Sequence, residues 1–281
     1  MKRLALLISC LLLVVDVFCQ PRFPVAGKYK REPAQGMAVY GSAAFLLNNT
    51  GLCRVVDLKT GEVSSEFSLG SVGVNNHANS ASFGIERVGR NKYPVMYVSE
   101  CNDPCRCFVE NVTDSGAVLV QTIALDREGI DSIARDWVVD RRGKTIYTIS
   151  RRTYSSGKEW TCAHRINQYR LPRLGEGEYV VLSQKDVLNS YDILFPNVLQ
   201  GAAIKKNFMY LPVGLEDNKI HYNRKDKERA LIVVNLKTCK VERKIDLMDI
   251  TKNEPEDCDF YKGKLLLYCG QSGGIYEIPY K

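Results

Sequence analysis

Past its first 19 residues, the 281-residue sequence has no apolar run approaching the roughly 17–25 residues that span a bilayer. Basic and acidic residues are interleaved, with no basic stripe and no recognised binding motif, so a nucleic-acid partner is set aside. Cysteines are dense only at Cys101-Asn-Asp-Pro-Cys105-Arg-Cys107, and no second Cys or His pair stands at zinc-finger spacing from them. There is no Gly-x-Ser-x-Gly element, and no cysteine has a recognisable histidine partner, so a nucleophilic serine or cysteine enzyme is not indicated. Nothing calls for a cofactor or a resident metal. Long helical patterns are also scarce.

The N-terminus carries a leader pattern. Met1-Lys2-Arg3 is positive, Leu4 to Val15 is a 12-residue apolar run broken only by Ser9, and Asp16 to Gln20 is more polar. Leu7-Ile8-Ser9-Cys10 looks like a lipid-attachment box, but the residues after Cys10 stay apolar where a lipoprotein turns polar. Residues 1–19 are therefore expected to be a cleaved signal peptide. Residues 20–281 are then one domain, secreted, periplasmic or at the cell surface. Cleavage lowers the formal charge from +7 to +6 and leaves eight cysteines. An even number in an exported chain permits disulfides; buried thiols are the alternative. Asn48-Asn49-Thr50 and Asn111-Val112-Thr113 fit the glycosylation pattern.

What fills the rest is short β-branched and aromatic runs between turn residues, which read as strands and hairpins. Val95–Ser99, Lys144–Ile149, Phe208–Pro212 and Lys264–Tyr268 are examples, with turns at Arg142-Gly143, Lys262-Gly263 and Ser272-Gly273-Gly274. One segment recurs. Val55-Val-Asp-Leu-Lys-Thr-Gly-Glu-Val63 returns as Val233-Val-Asn-Leu-Lys-Thr-Cys-Lys-Val241, each behind a Gln-Gly, at Gln35-Gly36 and Gln200-Gly201. Four antiparallel strands per segment is the composition of a propeller blade. The two Gln-Gly units lie 165 residues apart, three steps of about 55 residues. Intervening blades are expected to begin near His77–Phe83 and Arg135–Asp140, and a last one at Glu254–Phe260. The fold expected is all-β, a five-bladed propeller of four-stranded blades. The last blade shows only three strands before the chain ends, and an N-terminal strand around Phe23–Tyr29 is expected to complete it, since exposed edges are a liability.

First strands line the axis of a propeller, so polar residues at their starts converge. They are Gln35, His77 and Asn79, Arg135 and Asp136, Gln200, and Glu254, Glu256 and Asp257. Burying such groups costs free energy unless they are paired, so they either satisfy one another or meet a ligand.

The order Gln35-Gly36, His77-Ala78-Asn79, Gln200-Gly201 and Glu254-Pro255-Glu256 resembles a five-bladed propeller family of phage tail receptor-binding and wall-teichoic-acid-associated proteins. The chain departs from that family at Asn76, Ser80 and Asp257-Cys258. The resemblance implies a five-bladed ring and recognition of a glycan or cell-surface polymer. Three functions are weighed. One is a carbohydrate-binding module, with Trp137, Trp160, Tyr191 and Tyr222 as stacking candidates. Another is a glycoside hydrolase pairing Asp136 with Glu254, Glu256 or Asp257. The third is a protein scaffold using the charged insertion Glu216–Arg229. A glutaminyl cyclase of this ring size shares the Gln-Gly start, but its later Glu-Gly-Trp-Gly element is missing here.

Overall fold

The computed structural model describes residues 34–72, 77–126, 134–156 and 159–280. The expected signal peptide and the Phe23–Tyr29 strand lie outside these residues.

Blade 1 is β1 (Met37–Tyr40), β2 (Ala43–Leu47), β3 (Leu52–Asp57) and β4 (Val63–Ser68), hydrogen-bonded in that order. Blade 2 is β5 (Ala78–Phe83), β6 (Met96–Glu100), β7 (Cys107–Val112) and β8 (Ala117–Leu125). Blade 3 comprises β9 (Ala134–Asp140), β10 (Thr145–Ser156) and β11 (Glu159–Arg170), with β13 (Val187–Leu194) outermost. Between β11 and β13 the chain returns to blade 2, where β12 (Tyr179–Leu182) pairs parallel to β8 as a fifth strand. Blade 4 is β14 (Ala203–Lys205), β15 (Phe208–Val213), β16 (Ala230–Asn235) and β17 (Lys240–Asp246). Blade 5 is β18 (Asp257–Tyr261), β19 (Lys264–Tyr268) and β20 (Ile275–Ile278). Every expected blade start is an observed first strand, and blade 2 differs from the expected four strands by the addition of β12.

The first strands touch in a closed cycle, β1 to β5 to β9 to β14 to β18 and back to β1. The protein is a five-bladed propeller. Each sheet buries both faces, so five separate apolar cores lie between neighbouring blades. Phe45, Phe83 and Phe108 fill the space between blades 1 and 2. Tyr97, Trp137 and Tyr169 fill the next, and Ile166, Met209 and Ile232 the one after. Leu231, Leu265 and Ile278 pack between blades 4 and 5. Met37, Leu46, Leu266 and Ile275 close the ring between blades 5 and 1. Sheets buried on both faces read as continuous apolar runs rather than alternating ones, which is how ALIVVN of β16 looks.

Candidate functional site

The Gln-Gly repeat has a steric cause. Gly36 brings its backbone against blade 2, where its N–H donates to Ala78 O at 2.8 Å, and an added Cβ would stand 2.8 Å from that same oxygen. Gly201 does the same against blade 5, where a Cβ would overlap the Asp257 carboxylate. Only glycine permits such an approach of one first strand to the next.

That approach delivers backbone N–H groups to Asp257, which is fully buried. Its Oδ2 accepts from Met37 N (2.8 Å) and Ala81 N (3.1 Å), and its Oδ1 from Ala202 N (3.1 Å) and Cys258 N (2.8 Å). One carboxylate thereby ties together blades 1, 2, 4 and 5. Burial pushes this carboxyl up, against the pull of its amide donors. Two residues on, Asp259 accepts from Val39 N (2.7 Å) and Phe260 N (2.7 Å); burial raises it to about 6.

A second polar string crosses the mouth of the ring. Asn79 Nδ2 donates to Asp136 Oδ1 at 2.8 Å and to the backbone oxygen of Gln200. Gln200 Nε2 donates to Gly214 O (3.2 Å) and to Glu254 Oε1 (2.6 Å). Lys219 Nζ stands 3.5 Å from Glu254 Oε2 and 3.5 Å from Glu216 Oε1. Burial raises Glu254, with Lys219 and Gln200 pulling the other way. Glu256 is pushed well above its usual range by burial and then by the neighbouring Glu254. Asp136 is pushed up to about 7 by burial, against the Asn79 hydrogen bond and the Arg135 charge.

The structure thus joins Asn79, Asp136, Gln200 and Glu254 by direct hydrogen bonds and makes Asp257 a hub beneath them. Glu256 is buried and couples electrostatically to Glu254 and Asp257. His77 and Arg135 stand to one side. His77 is half-buried with φ 45°, and burial, then Arg135, hold its imidazole below the usual range. Arg135 is exposed and donates to Cys101 O at 2.9 Å. Gln35 does not join the string. Its Oε1 and the Oδ2 of Asp136 are buried atoms without a hydrogen-bond partner among the described residues.

Of the stacking candidates, Trp137 is wholly buried core, its Nε1 donating to Cys105 O at 3.1 Å. Tyr191 lies on outermost strand β13 against the core between blades 3 and 4, away from the mouth. Tyr222 is half exposed in the insertion, and nothing is described of the Trp160 side chain. The insertion itself is anchored. Asn223 caps a single helical turn, α1 (Arg224–Lys227), and Arg229 Nε and Nη1 donate to Thr251 O (2.9 Å) and Leu215 O (3.0 Å). Among the described residues no group of three or more His, Cys, Asp or Glu is placed to hold a metal ion. Cys53, Cys101, Cys107, Cys239, Cys258 and Cys269 are free thiols. Sequence reasoning missed Lys219 and Asp259. Lys219 lies in the charged insertion Glu216–Arg229, but nothing in the sequence directs it to Glu254, whereas Asp259 repeats Asp257 at the strand period of two and was legible on that ground.

No family model matches the chain. No curated protein matches it in sequence either. Among solved structures it is similar to Myxococcus xanthus glutaminyl cyclase, at 9% identity over 89% of this chain and 90% of that one, with a TM-score of 0.48. It is also similar to Kuenenia stuttgartiensis hydrazine synthase, at 14% identity over 83% of this chain, with a TM-score of 0.42. BamB from Moraxella catarrhalis is another, at 11% identity over 87% of this chain, with a TM-score of 0.32. The chain spans 61% of the hydrazine synthase chain and 63% of BamB. The propeller assignment rests on the strand order and the cycle of first strands.

Proposed function

We propose that the protein is an exported, non-catalytic binding module that takes a carbohydrate or other cell-surface polymer at the mouth of its central channel. One observation supports the reading above others: Asp136 Oδ2 and Gln35 Oε1 are buried acceptors without a hydrogen-bond partner among the described residues, placed where first strands begin, and Asp136 stands beside amides already engaged. A sugar hydroxyl donates one hydrogen bond and accepts others, so it suits open acceptors. The resemblance to phage receptor-binding and teichoic-acid-associated propellers makes bacterial wall polymers the first ligands to try.

A glycoside hydrolase is the second reading, favoured by the same open oxygen on Asp136. Hydrolysis needs two carboxyl groups whose environments push them apart, one ionised and one protonated. Here Asp136, Glu254 and Glu256 are all pushed upward, each mainly by burial. Asp257 is committed to four amides and is not available as acid or base.

The test is an array of soluble glycans and wall polymers, probed with the mature protein for binding and for cleavage products. Binding that weakens in Asp136→Asn and Gln35→Met supports the module. Cleavage replaces it with the hydrolase, and silence on both counts leaves a protein scaffold.

A further inference from the structure

The ends of the five first strands opposite the mouth carry a different chemistry. β1 and β18 run in the same direction, because Asp257 meets Met37 and Asp259 meets Val39, two residues farther along both strands. The first hairpin turn of every blade therefore gathers at the far end of the channel. In blades 2 to 5 that end is basic, with Arg87, Arg141-Arg142, Lys205 at the close of β14 followed by Lys206, and Lys262; Lys92, later in the blade 2 connection, is paired with Asp114 at 2.9 Å. Tyr40 ends the corresponding strand of blade 1.

These turns are in contact across blades. The guanidinium groups of Arg87 and Arg141 each lie 5.4 Å from the centre of the Tyr40 ring, so side chains of blades 1, 2 and 3 meet on one aromatic. Arg141 also acts electrostatically on Asp259 of blade 5. Lys205 of blade 4 lies 4.2 Å from the Phe260 ring centre and 5.1 Å from that of Tyr280, and donates to Gly263 O at 2.9 Å. Lys262 stands 5.2 Å from the ring centre of Tyr261.

Among the described residues, none of the six cations besides Lys92 forms an ion pair. The acidic neighbours are committed elsewhere. Glu86 Oε2 accepts from Leu174 N (2.8 Å), Asp140 Oδ1 from Arg142 N (3.0 Å), and Asp259 from two buried amides. Two guanidinium groups sharing one ring, with no carboxylate in ion-pair contact with either among the described residues, repel each other, and an external anion removes that repulsion.

We infer that this far face is a docking surface for an anionic polysaccharide, distinct from the ligand site at the mouth. Cations repeated over four blades suit a chain of spaced carboxylate or sulfate groups better than a single phosphate. The aromatic rings lie half-buried beneath the cations, where a membrane-docking face projects large apolar side chains into the lipid. The inference does not use the residues of the mouth and stands or falls apart from them.

The experiment measures binding of the full mature protein to dextran sulfate and retention on immobilised heparin over a salt series. Arg87→Gln/Arg141→Gln is compared with Arg224→Gln/Lys225→Gln, which removes the same charge from exposed α1 in the insertion. The first variant lowers the slope of log Kd against log salt by about two, one for each charge removed, and the second leaves it unchanged. Equal loss in both variants, or no retention of the unmodified protein, overturns the proposal. So does equal or tighter binding to phosphatidylserine-containing vesicles or to duplex DNA, each of which assigns the face to another partner. Because no mouth residue is altered, a failure here leaves the glycan array result standing.

Discussion

Blades 1 and 4 are two copies of one design, and their differences fall where function is proposed. Both put a Gln-Gly ahead of the first strand and a Leu-Lys-Thr turn between the third and fourth. In each, the register shifts within a Val-Val pair, between Val55 and Val56 and between Val233 and Val234. In each turn the backbone closes on the acid or amide before Leu, with Gly61 N donating to Asp57 O (2.7 Å) and Cys239 N to Asn235 O (2.8 Å). At the mouth the copies diverge. Blade 1 joins its second and third strands through Asn48–Gly51, while blade 4 inserts the anchored segment that brings Lys219 to Glu254. Gln200 Nε2 has two acceptors, while Gln35 Oε1 is buried without a partner among the described residues. The framework is copied, and the mouth is individual.

The sharpest way to break this arrangement is at the residue both copies lean on. Asp257→Asn turns an amide N–H₂ toward one pair of backbone N–H groups, either those of Met37 and Ala81 or those of Ala202 and Cys258, and we expect it to cost about 3 kcal/mol or more. Chemical denaturation reads this directly, and a loss below about 1 kcal/mol would refute the hub. Next comes the paired glutamine test. Gln200→Met strands Glu254 and the Gly214 carbonyl and should cost about 1–3 kcal/mol, while Gln35→Met removes an acceptor that has no partner and should be close to neutral. Equal costs would show that the two copies are not distinguished as described.

The third expectation concerns pH. Asp136 has a folded value near 7, above the ordinary 3.8, so its contribution to folding stability is fully present below about pH 4 and is lost as the pH rises through 7. Asp136→Asn should therefore flatten part of that decline and gain on the order of 2 kcal/mol at pH 8. Thermal midpoints from pH 4 to 8 test this; a parallel decline in the variant contradicts it. The smallest effect lies in the matching turns. Gly61 has φ 79° and Cys239 φ 56°, a left-handed region that costs a side chain about 1 kcal/mol. Gly61→Ala should destabilise by about that amount, and Cys239→Gly should stabilise by about 0.5 kcal/mol, less because the Asn189 to Cys239 Sγ contact is lost.

Much of this was legible in the chain because propeller blades are local. Each hairpin is sealed by its own turn residues, so Val55–Val63 and Val233–Val241 announced both blades, and all five first strands stand where expected. What was not legible is pairing between distant segments. Tyr-Val-Val-Leu at 179–182 reads as a strand, but nothing in its pattern names β8 of another blade as its partner. The site divides the same way. Strand starts identified which side chains face the axis, while the choice of Asn79, Asp136, Gln200 and Glu254 as the connected set depended on side-chain reach across blades. The cysteines were ambiguous for a like reason, since Cys53, Cys107 and Cys258 serve as small apolar filling and spacing alone does not distinguish that from a crosslink.

The bonds from Asp257 to Met37 and from Asp259 to Val39 each bridge 220 residues of sequence. Together they behave as the clasp of a bracelet, a short ladder of carboxylates standing where two neighbouring first strands are too far apart to zip main chain to main chain. Since a loop that long loses considerable freedom when its ends meet, the seam between last and first blade is the joint whose release frees the chain most. Opening from that seam would peel blades away in succession, and among the described residues the acid groups near the axis and the apolar packing between blades 5 and 1 hold the ring against it.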